Sequence, residues 1–213
     1  MYSGLAIEGS VKVLQIPLFL SAFLTIALIP AYAQTPVTPP SAVDPAILAS
    51  AGTGSAAAQI KAGDAYAAGT GSERSSRQLA ADYKEAANWY RKAANQGSIA
   101  AEIKLADLYR DGRGVTRDMA QAVVWYKKAA DQGDASAQGT LGLLYSVGMG
   151  VAQDYVEAYY WLDLASSASG PNQAKYMANR QSVGEHITTD QQQTVEDRVA
   201  AWKAAHPHVG SAQ

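Results

Sequence analysis

The sequence contains no cysteine, and this absence excludes several kinds of protein at once. A disulfide framework, a thiolate zinc site, a cysteine nucleophile and a lipidated N-terminal cysteine all require that residue. Phenylalanine occurs only twice, and much of the 48% hydrophobic content is alanine. Small apolar residues in such numbers favour closely packed helices over a thick β core.

Strong charge and catalytic motifs are missing as well. The formal net charge is −2, so no basic field would attract nucleic acid or an anionic membrane surface. The chain has no G-x-S-x-G, Walker, HExxH or kinase motif. His206 and His208 could contact a metal, but no third ligand is near, and an exposed tail at 207–213 is the better interpretation. We therefore predict no catalytic residue, no cofactor and no metal.

The N-terminus has the three parts of a secretory signal peptide. Lys12 precedes an apolar run from Val13 to Ile29, and small residues at Ala31 and Ala33 frame a cleavage site. A membrane anchor is the alternative, but a span needs about 20 apolar residues and this run is shorter. We predict a signal peptide over 1–33, a periplasmic or secreted protein, and no stable membrane insertion after cleavage behind Ala33.

The segments before and after the apolar run, residues 1–10 and 34–55, also allow predictions. Residues 1–10 contain Glu8 and no basic residue, so a true start at Val11 is an alternative to Met1. Proline, serine and threonine dominate after the cleavage site, without periodicity. We predict an extended linker over 34–55.

An internal repeat organises the rest of the chain. Trp89, Trp125 and Trp161 are spaced 36 residues apart. Around them the sequences DYKEAANWYRKAANQG, DMAQAVVWYKKAADQG and DYVEAYYWLDLASSAS are alike, and AEIKLADLYRDGRGV matches AQGTLGLLYSVGMGV upstream. Self-similarity at a fixed period of this size indicates a stacked array.

Each unit of the repeat predicts two helices. Apolar residues fall on one face of each helix, and glycines follow both helices. Acidic residues before the second helices, each followed three positions later by Glu or Gln, predict capping boxes. These pairs are Asp82 with Glu85, Asp118 with Gln121, and Asp154 with Glu157.

The pattern resembles the Sel-one-like repeat, a relative of the tetratricopeptide repeat, in an exported bacterial member of that family. The signature A-x3-L-[GA]-x-L-Y-x2-G-x-G-V is followed by the acidic cap and the tryptophan, and it recurs almost complete. The resemblance implies an all-α, right-handed α-solenoid of about three helix–turn–helix repeats. We place the domain at 56–206, with units 58–100, 101–136 and 137–172 and a C-terminal capping helix pair at 173–206.

The cap is expected to contain a helix from Gln173 to Ser182 and a second one behind the N-cap Thr189. In a solenoid the last repeat exposes an apolar face that atypical helices cover. The residues predicted to cover it are Tyr176, Val195, Val199 and Trp202.

The resemblance also implies a binding surface, because tetratricopeptide-like solenoids bind along the concave side lined by their first helices. The positions there that packing does not use mix apolar residues with single charges, which suits a peptide or the tail of a protein. A merely solvated face is an equally good interpretation. The groove residues selected are Ile60, Asp64, Ile103, Asp107, Arg110 and Leu143.

A possible second surface lies on the third unit, where Tyr155, Tyr159 and Asp163 belong to a tyrosine-rich helix without lysine. Burial under the capping helices is the simpler interpretation. The leading hypothesis for function is a non-catalytic interaction scaffold or adaptor in the periplasm, with a protein or peptide partner. The alternatives are an enzyme acting on cell-wall or β-lactam substrates, and a self-associating structural envelope protein.

Overall fold

Helix follows helix, with no strand between them, in the part of the chain that this computed structural model describes, residues 43–69 and 75–207. These residues belong to one compact unit, Pro39–Gln213. The all-α repeat architecture is confirmed. The helices are α1 (Pro45–Gly52), α2 (Ala56–Ala68), α3 (Ser76–Ala94), α4 (Ile99–Asp111), α5 (Met119–Asp131), α6 (Ala135–Val147), α7 (Tyr155–Ser167), α8 (Gln173–Gly184) and α9 (Thr189–Ala205).

Three helix pairs form the solenoid: α2 with α3, α4 with α5, and α6 with α7. The second helix of each pair also packs against the first helix of the next pair, so every first helix lies between two neighbours. Ala101 and Leu105 of α4 are fully buried, as are Ala137 and Leu141 of α6. Residues four apart lie on one helix face, so the same pair of positions supplies the core in successive units.

The turn inside each pair begins with a glycine that ends the first helix. Gly112 and Gly148 have φ of +70° and +69°, the left-handed region, and their N–H groups donate to Leu108 and Leu144. A residue with a side chain adopts this conformation only at a cost. The predicted helix ends in units two and three are therefore confirmed.

The second glycine of the turn in units two and three has an additional role, because it touches the backbone of the preceding helix pair. A Cβ atom on Gly114 would lie 2.2 Å from the carbonyl carbon of Tyr83 in α3. On Gly150 it would lie 2.4 Å from the carbonyl oxygen of Met119 in α5. The repeated G-x-G motif thus sets how closely one unit stacks on the last.

The N-caps of α5 and α7 are the predicted acidic residues. The side chains of Asp118 and Asp154 accept from the N–H of the residue three positions on, at 3.0 Å in both helices. The second hydrogen bond of the predicted capping box, from the N–H of the N-cap residue to the Glu or Gln side chain, is wrong, because this N–H donates elsewhere. It donates to the carbonyl of Tyr109 in one turn and of Tyr145 in the other, at 2.9 and 3.0 Å. This hydrogen bond ties each second helix to the end of its first.

The predicted cap at Asp82 is wrong. α3 begins six residues earlier, at Ser76, where the Ser75 side chain accepts from the Gln78 N–H. Asp82 therefore lies inside the helix, fully buried, and accepts from the Gln78 amide at 3.1 Å. The preceding residues are good helix formers, so the helix extends backwards and is longer than α5 and α7.

The predicted linker over 34–55 is wrong in its second half. Asp44 caps α1 by accepting from the Ala46 N–H at 2.8 Å, and Pro45 occupies the first helical position, where its missing N–H is harmless. Val43 and Ala51 are buried where α1 packs on α2. α1 covers the first repeat as a short N-terminal cap. Residues 34–42, and the predicted signal peptide before them, lie outside the described part.

The C-terminal cap consists of two helices that both pack on α7. α8 ends at Gly184, two residues beyond the prediction. α9 has a complete capping box, in which Thr188 accepts from the Gln191 N–H at 3.2 Å and its own N–H donates to the Gln191 side chain at 2.8 Å. The predicted cap at Thr189 is thus wrong by one residue. The burial predicted for Tyr176, Val195 and Val199 is confirmed, and Trp202 is partly buried.

One buried carboxylate lies between α4 and α5. Glu102 is 3% exposed, and one of its oxygens accepts from the Gln132 side chain at 2.8 Å. Burial is the main cause that raises the pKa of Glu102 above its ordinary value. The equivalent residues of units one and three are the uncharged Gln59 and Gln138, which are equally buried. Glu102 is therefore a charged exception at a position that an amide fills elsewhere.

Replacing Glu102 by Gln is expected to stabilise the protein at pH 7 by about 1 kcal/mol, a typical gain for a consensus substitution. The pKa of Glu102 is raised on folding, so burying this carboxyl group costs no stability at a pH below its pKa in the unfolded chain. The loss of stability grows as the pH rises from that value through the pKa in the folded protein. The advantage of the variant should thus vanish on acidification. Thermal unfolding from pH 4 to pH 8 measures this. Gln59→Glu is the matched control and should introduce the same pH dependence; a constant difference across pH would contradict the explanation.

Candidate functional site

The predicted groove residues belong to one surface, here called the first-helix face. It is formed by positions of α2, α4 and α6 that repeat from unit to unit and that, except for Gly139, are exposed or half-buried. These positions are Ala57, Ile60 and Asp64 on α2, Ala100, Ile103, Asp107 and Arg110 on α4, and Ser136, Gly139, Leu143 and Ser146 on α6.

Two of its carboxylates hold the helix pairs together. Asp64 of α2 accepts from the hydroxyl of Tyr90 in α3 at 2.7 Å, and Asp107 of α4 accepts from the hydroxyl of Tyr126 in α5. Burial and the hydrogen bond to Asp107 raise the pKa of Tyr126 above its ordinary value, so it remains a donor. The same hydrogen bond between tyrosine and aspartate thus joins the two helices in unit one and in unit two.

The cations on this face and beside it are paired with carboxylates. Lys104 lies 3.0 Å from the Asp64 carboxylate, and Arg110 lies 2.7 Å from Asp107 and 2.8 Å from Asp111. Arg113 also pairs with Asp111, and the hydrogen bond from Arg110 lowers the pKa of that carboxyl. These groups are partly exposed, but none of them offers an unpaired charge to a ligand.

The apolar groove residues differ in how far solvent reaches them. Ile60 and Ile103 are partly buried and pack against the core. Gly139 is covered by the ring of Tyr176 from α8, which a Cβ would meet at 2.2 Å. Leu143 is 36% exposed, which makes it the accessible large apolar residue among the six predicted.

Sequence reasoning missed two neighbours of Leu143. Val147, one helical turn further along α6, is 62% exposed, and Met149 in the following turn is 45% exposed. Their equivalents in unit two are the charged Asp111 and Arg113. A position-by-position comparison of the two units would have found them, since both replace charge with apolar surface.

The possible second surface on α7 is largely covered by the capping helices, so the interface expected there is wrong and the simpler interpretation, burial under these helices, describes it. The ring of Tyr155 stacks on His186 at 4.4 Å, and Tyr159 is 5% exposed. Arg180 of α8 lies 2.9 Å from the Asp163 carboxylate and donates to the Tyr159 hydroxyl at 2.8 Å. The tyrosine-rich helix is lysine-free because the capping helices supply its cations.

A cavity of about 610 Å³ lies where the cap meets α7. Tyr159 contributes to it from α7, Met177, Arg180 and Gln181 from α8, and Gln192 from α9. The guanidinium is already paired with Asp163, so the cavity offers a ligand amide groups, apolar groups and the carboxylate of Glu185.

Side chains that could bind a metal do not form a cluster in the described residues. No group of three or more His, Asp or Glu side chains lies close enough to bind a metal ion within 43–69 and 75–207. His206 is stacked on Trp202 and contacts its carbonyl at 2.8 Å, while His208 is outside the described part. None of the described helices is long and apolar enough to cross a membrane.

Comparison with known proteins identifies relatives. The family profile of the Sel1 repeat matches residues 56–98, 99–134 and 135–169. The crystal structure of a protective antigen of uropathogenic Escherichia coli strains, which displays an SLR fold, is 35% identical, with a TM-score of 0.62 over 74% of this chain and 32% of its own. A Sel1 repeat protein from Oxalobacter formigenes is 33% identical, with a TM-score of 0.50 over 59% of this chain and 46% of its own. This chain thus spans less than half of either relative. A comparison with curated proteins finds no match.

Proposed function

Since the chain belongs to the Sel1 repeat family, whose members generally mediate protein–protein interactions and are typically non-catalytic scaffolds, we propose that it is a periplasmic scaffold that binds a protein or peptide along its first-helix face. The observation that carries the proposal is that this face runs over three stacked units and ends in exposed apolar side chains on α6. Stacked repeats of this kind create extended binding surfaces.

The periplasmic location rests on the signal-peptide pattern of residues 1–33. The absence of cysteine leaves the compartment open, since the fold needs no particular redox environment. The partner would meet the processed chain, in which α1 follows a short proline-rich segment.

We expect the protein recovered from the producing cells to begin at Gln34, because signal peptidase requires small residues at Ala31 and Ala33. Intact-mass spectrometry of the periplasmic fraction measures this. Ala33→Trp should leave the precursor uncleaved, whereas the control Tyr32→Trp, at the tolerant middle position, should be processed. Recovery of residues 1–33 in the mature protein would remove the periplasmic part of the proposal.

The binding face can be tested without disturbing the core. Ala100 and Ser136 occupy equivalent exposed positions at the starts of α4 and α6. The double variant Ala100→Arg/Ser136→Arg places two long cations on the face. We expect it to lose partners that the unchanged protein captures by crosslinking from periplasmic extract, since both steric bulk and charge oppose docking.

The matched control places the same two arginines on second helices, at exposed Ala80 of α3 and Ala120 of α5. It should capture the partners as the unchanged protein does. Equal capture by all three proteins would contradict binding on the first-helix face. A chain that captures no partner, or that turns over cell-wall or β-lactam reporter substrates, would contradict the scaffold itself.

A further inference from the structure

Exposed apolar side chains are concentrated at one end of the first-helix face. Six large apolar residues are exposed in the described part of the chain. Three of them, Leu143, Val147 and Met149, lie at the end of α6 and in the turn that follows it. Leu143 and Val147 are four residues apart, so they lie on the same side of the helix. We call these three side chains the α6 patch.

The patch stands where the preceding unit carries charge. Many charged residues of unit two are replaced by uncharged ones in unit three, and five of these replacements lie in or around the patch. These five are Lys104 by Thr140, Asp107 by Leu143, Arg110 by Ser146, Asp111 by Val147 and Arg113 by Met149. From Ala135 to Gln153 the chain carries no Asp, Glu, Lys or Arg.

The change reaches below the surface. In units one and two the carboxylate of this face accepts from a tyrosine of the second helix, and in unit three that tyrosine is replaced by Leu162. Leu162 is fully buried against α6, where its side chain fills the space left by Gly142. An apolar contact between α6 and α7 thus replaces the hydrogen bond between carboxylate and tyrosine. Because unit three lacks that tyrosine, the position of Leu143 does not need a polar side chain.

The α6 patch is also held in place before any ligand arrives. Gly148 ends the helix, and the Met149 N–H donates to the Leu144 carbonyl at 3.0 Å. Gly150 then packs directly on the backbone of Met119. Binding to a surface that is already ordered avoids the entropy cost of ordering it.

We propose, on the basis of the scaffold function above, that the α6 patch is the specificity site of the first-helix face and binds an uncharged segment with at least two large apolar side chains from a partner polypeptide. The charge pattern decides this chemistry. The neighbouring Asp and Arg side chains of α4 are paired with one another, so a charged segment would be desolvated on the patch without gaining an ion pair.

A second copy of the chain is a poorer occupant. Three partly exposed side chains offer roughly a few hundred Å² of apolar surface. A stable protein–protein interface needs about 800 Å² from each partner. The patch is therefore of a size that suits a short peptide segment.

The experiment is a selection of random twelve-residue peptides on the purified full chain, followed by binding measurements with each enriched peptide. We expect the peptides to share an uncharged segment with two or more large apolar residues. Leu143→Glu/Val147→Glu should weaken them at least tenfold, and Val147→Glu/Met149→Glu should do the same from the two most exposed positions.

The matched control is the double variant Val124→Glu/Met177→Glu, which adds the same two charges at residues 47% and 53% exposed elsewhere. Affinities should stay within twofold in this variant. Peptides weakened by Ala100→Arg/Ser136→Arg but not by the patch variants would overturn this inference and leave the scaffold function standing. Peptides weakened by neither set, or no enrichment at all, would overturn both.

Two further results would overturn the inference alone. One is enrichment of charged peptides whose binding depends on the patch. The other is self-association of the unchanged protein that the patch variants abolish, measured by light scattering over a dilution series.

Discussion

Gly114→Ala is expected to lower the melting temperature by about 10 °C, the largest effect of any single substitution proposed. Gly114 has φ of +68°, and an alanine there costs about 1 kcal/mol for the left-handed backbone alone. Its Cβ would also lie 2.2 to 2.5 Å from backbone atoms of Tyr83 and Lys84, which cannot move without shifting α3. A total above about 3 kcal/mol converts to this change in a domain of such size.

Gly97→Ala separates the two causes. Gly97 has φ of +79°, but a Cβ there would meet no atom within 4 Å. The Gly97→Ala variant should therefore lose only the stability that the left-handed backbone costs an alanine, and its melting temperature should fall by only a few degrees. Thermal unfolding followed by circular dichroism measures both variants. Equal losses would mean that the close stacking of the turn on α3 contributes nothing, against the explanation of the G-x-G motif.

Arg180→Leu is expected to destabilise the protein by about 2 kcal/mol and to loosen α8. The guanidinium lies 2.9 Å from Asp163, whose side chain is only 13% exposed, and donates to Tyr159. Removing one partner of such a pair leaves a poorly solvated charge, although the 31% exposure of Arg180 moderates the loss. Thermal unfolding gives the size of the effect, and amide hydrogen exchange of residues 173–184 gives its location.

The control is the double variant Arg180→Leu/Asp163→Leu. It removes the abandoned carboxylate, so most of the lost stability should return. Arg198→Leu provides a comparison, because its partner Glu157 is 29% exposed and more easily hydrated. A double variant as unstable as the single one would show that packing by Arg180, and not the unpaired charge, accounts for the loss.

The repeat architecture could be predicted from sequence because its signals are local and recur. The left-handed glycines and the caps at Asp118 and Asp154 depend on residues within a few positions of one another. Asp82 shows the limit of this reasoning, since an acidic residue three positions before Glu also fits a helix interior. The helix-forming residues before it decided the outcome, and α1 was missed because a single short helix has too few periods to detect.

The candidate site was less predictable. Periodicity indicated which side chains leave the helix on the first-helix face, but not what lies across from them. The partners of Asp64 and Asp107 are tyrosines 26 and 19 residues away, so their use in holding helix pairs together required the packed structure. Burial of Tyr159 and Asp163 likewise depended on Arg180 from a separate helix.

The capping helices at both ends of the solenoid limit the length of the partner segment that the first-helix face can bind. α1 packs on the first unit and α8 with α9 on the last, so in the described part of the chain the first-helix face runs over three units. Only three first helices contribute to the first-helix face, so the partner segment that it accommodates is short. The protein would recognise a short linear motif, and a partner with two such motifs would recruit two molecules.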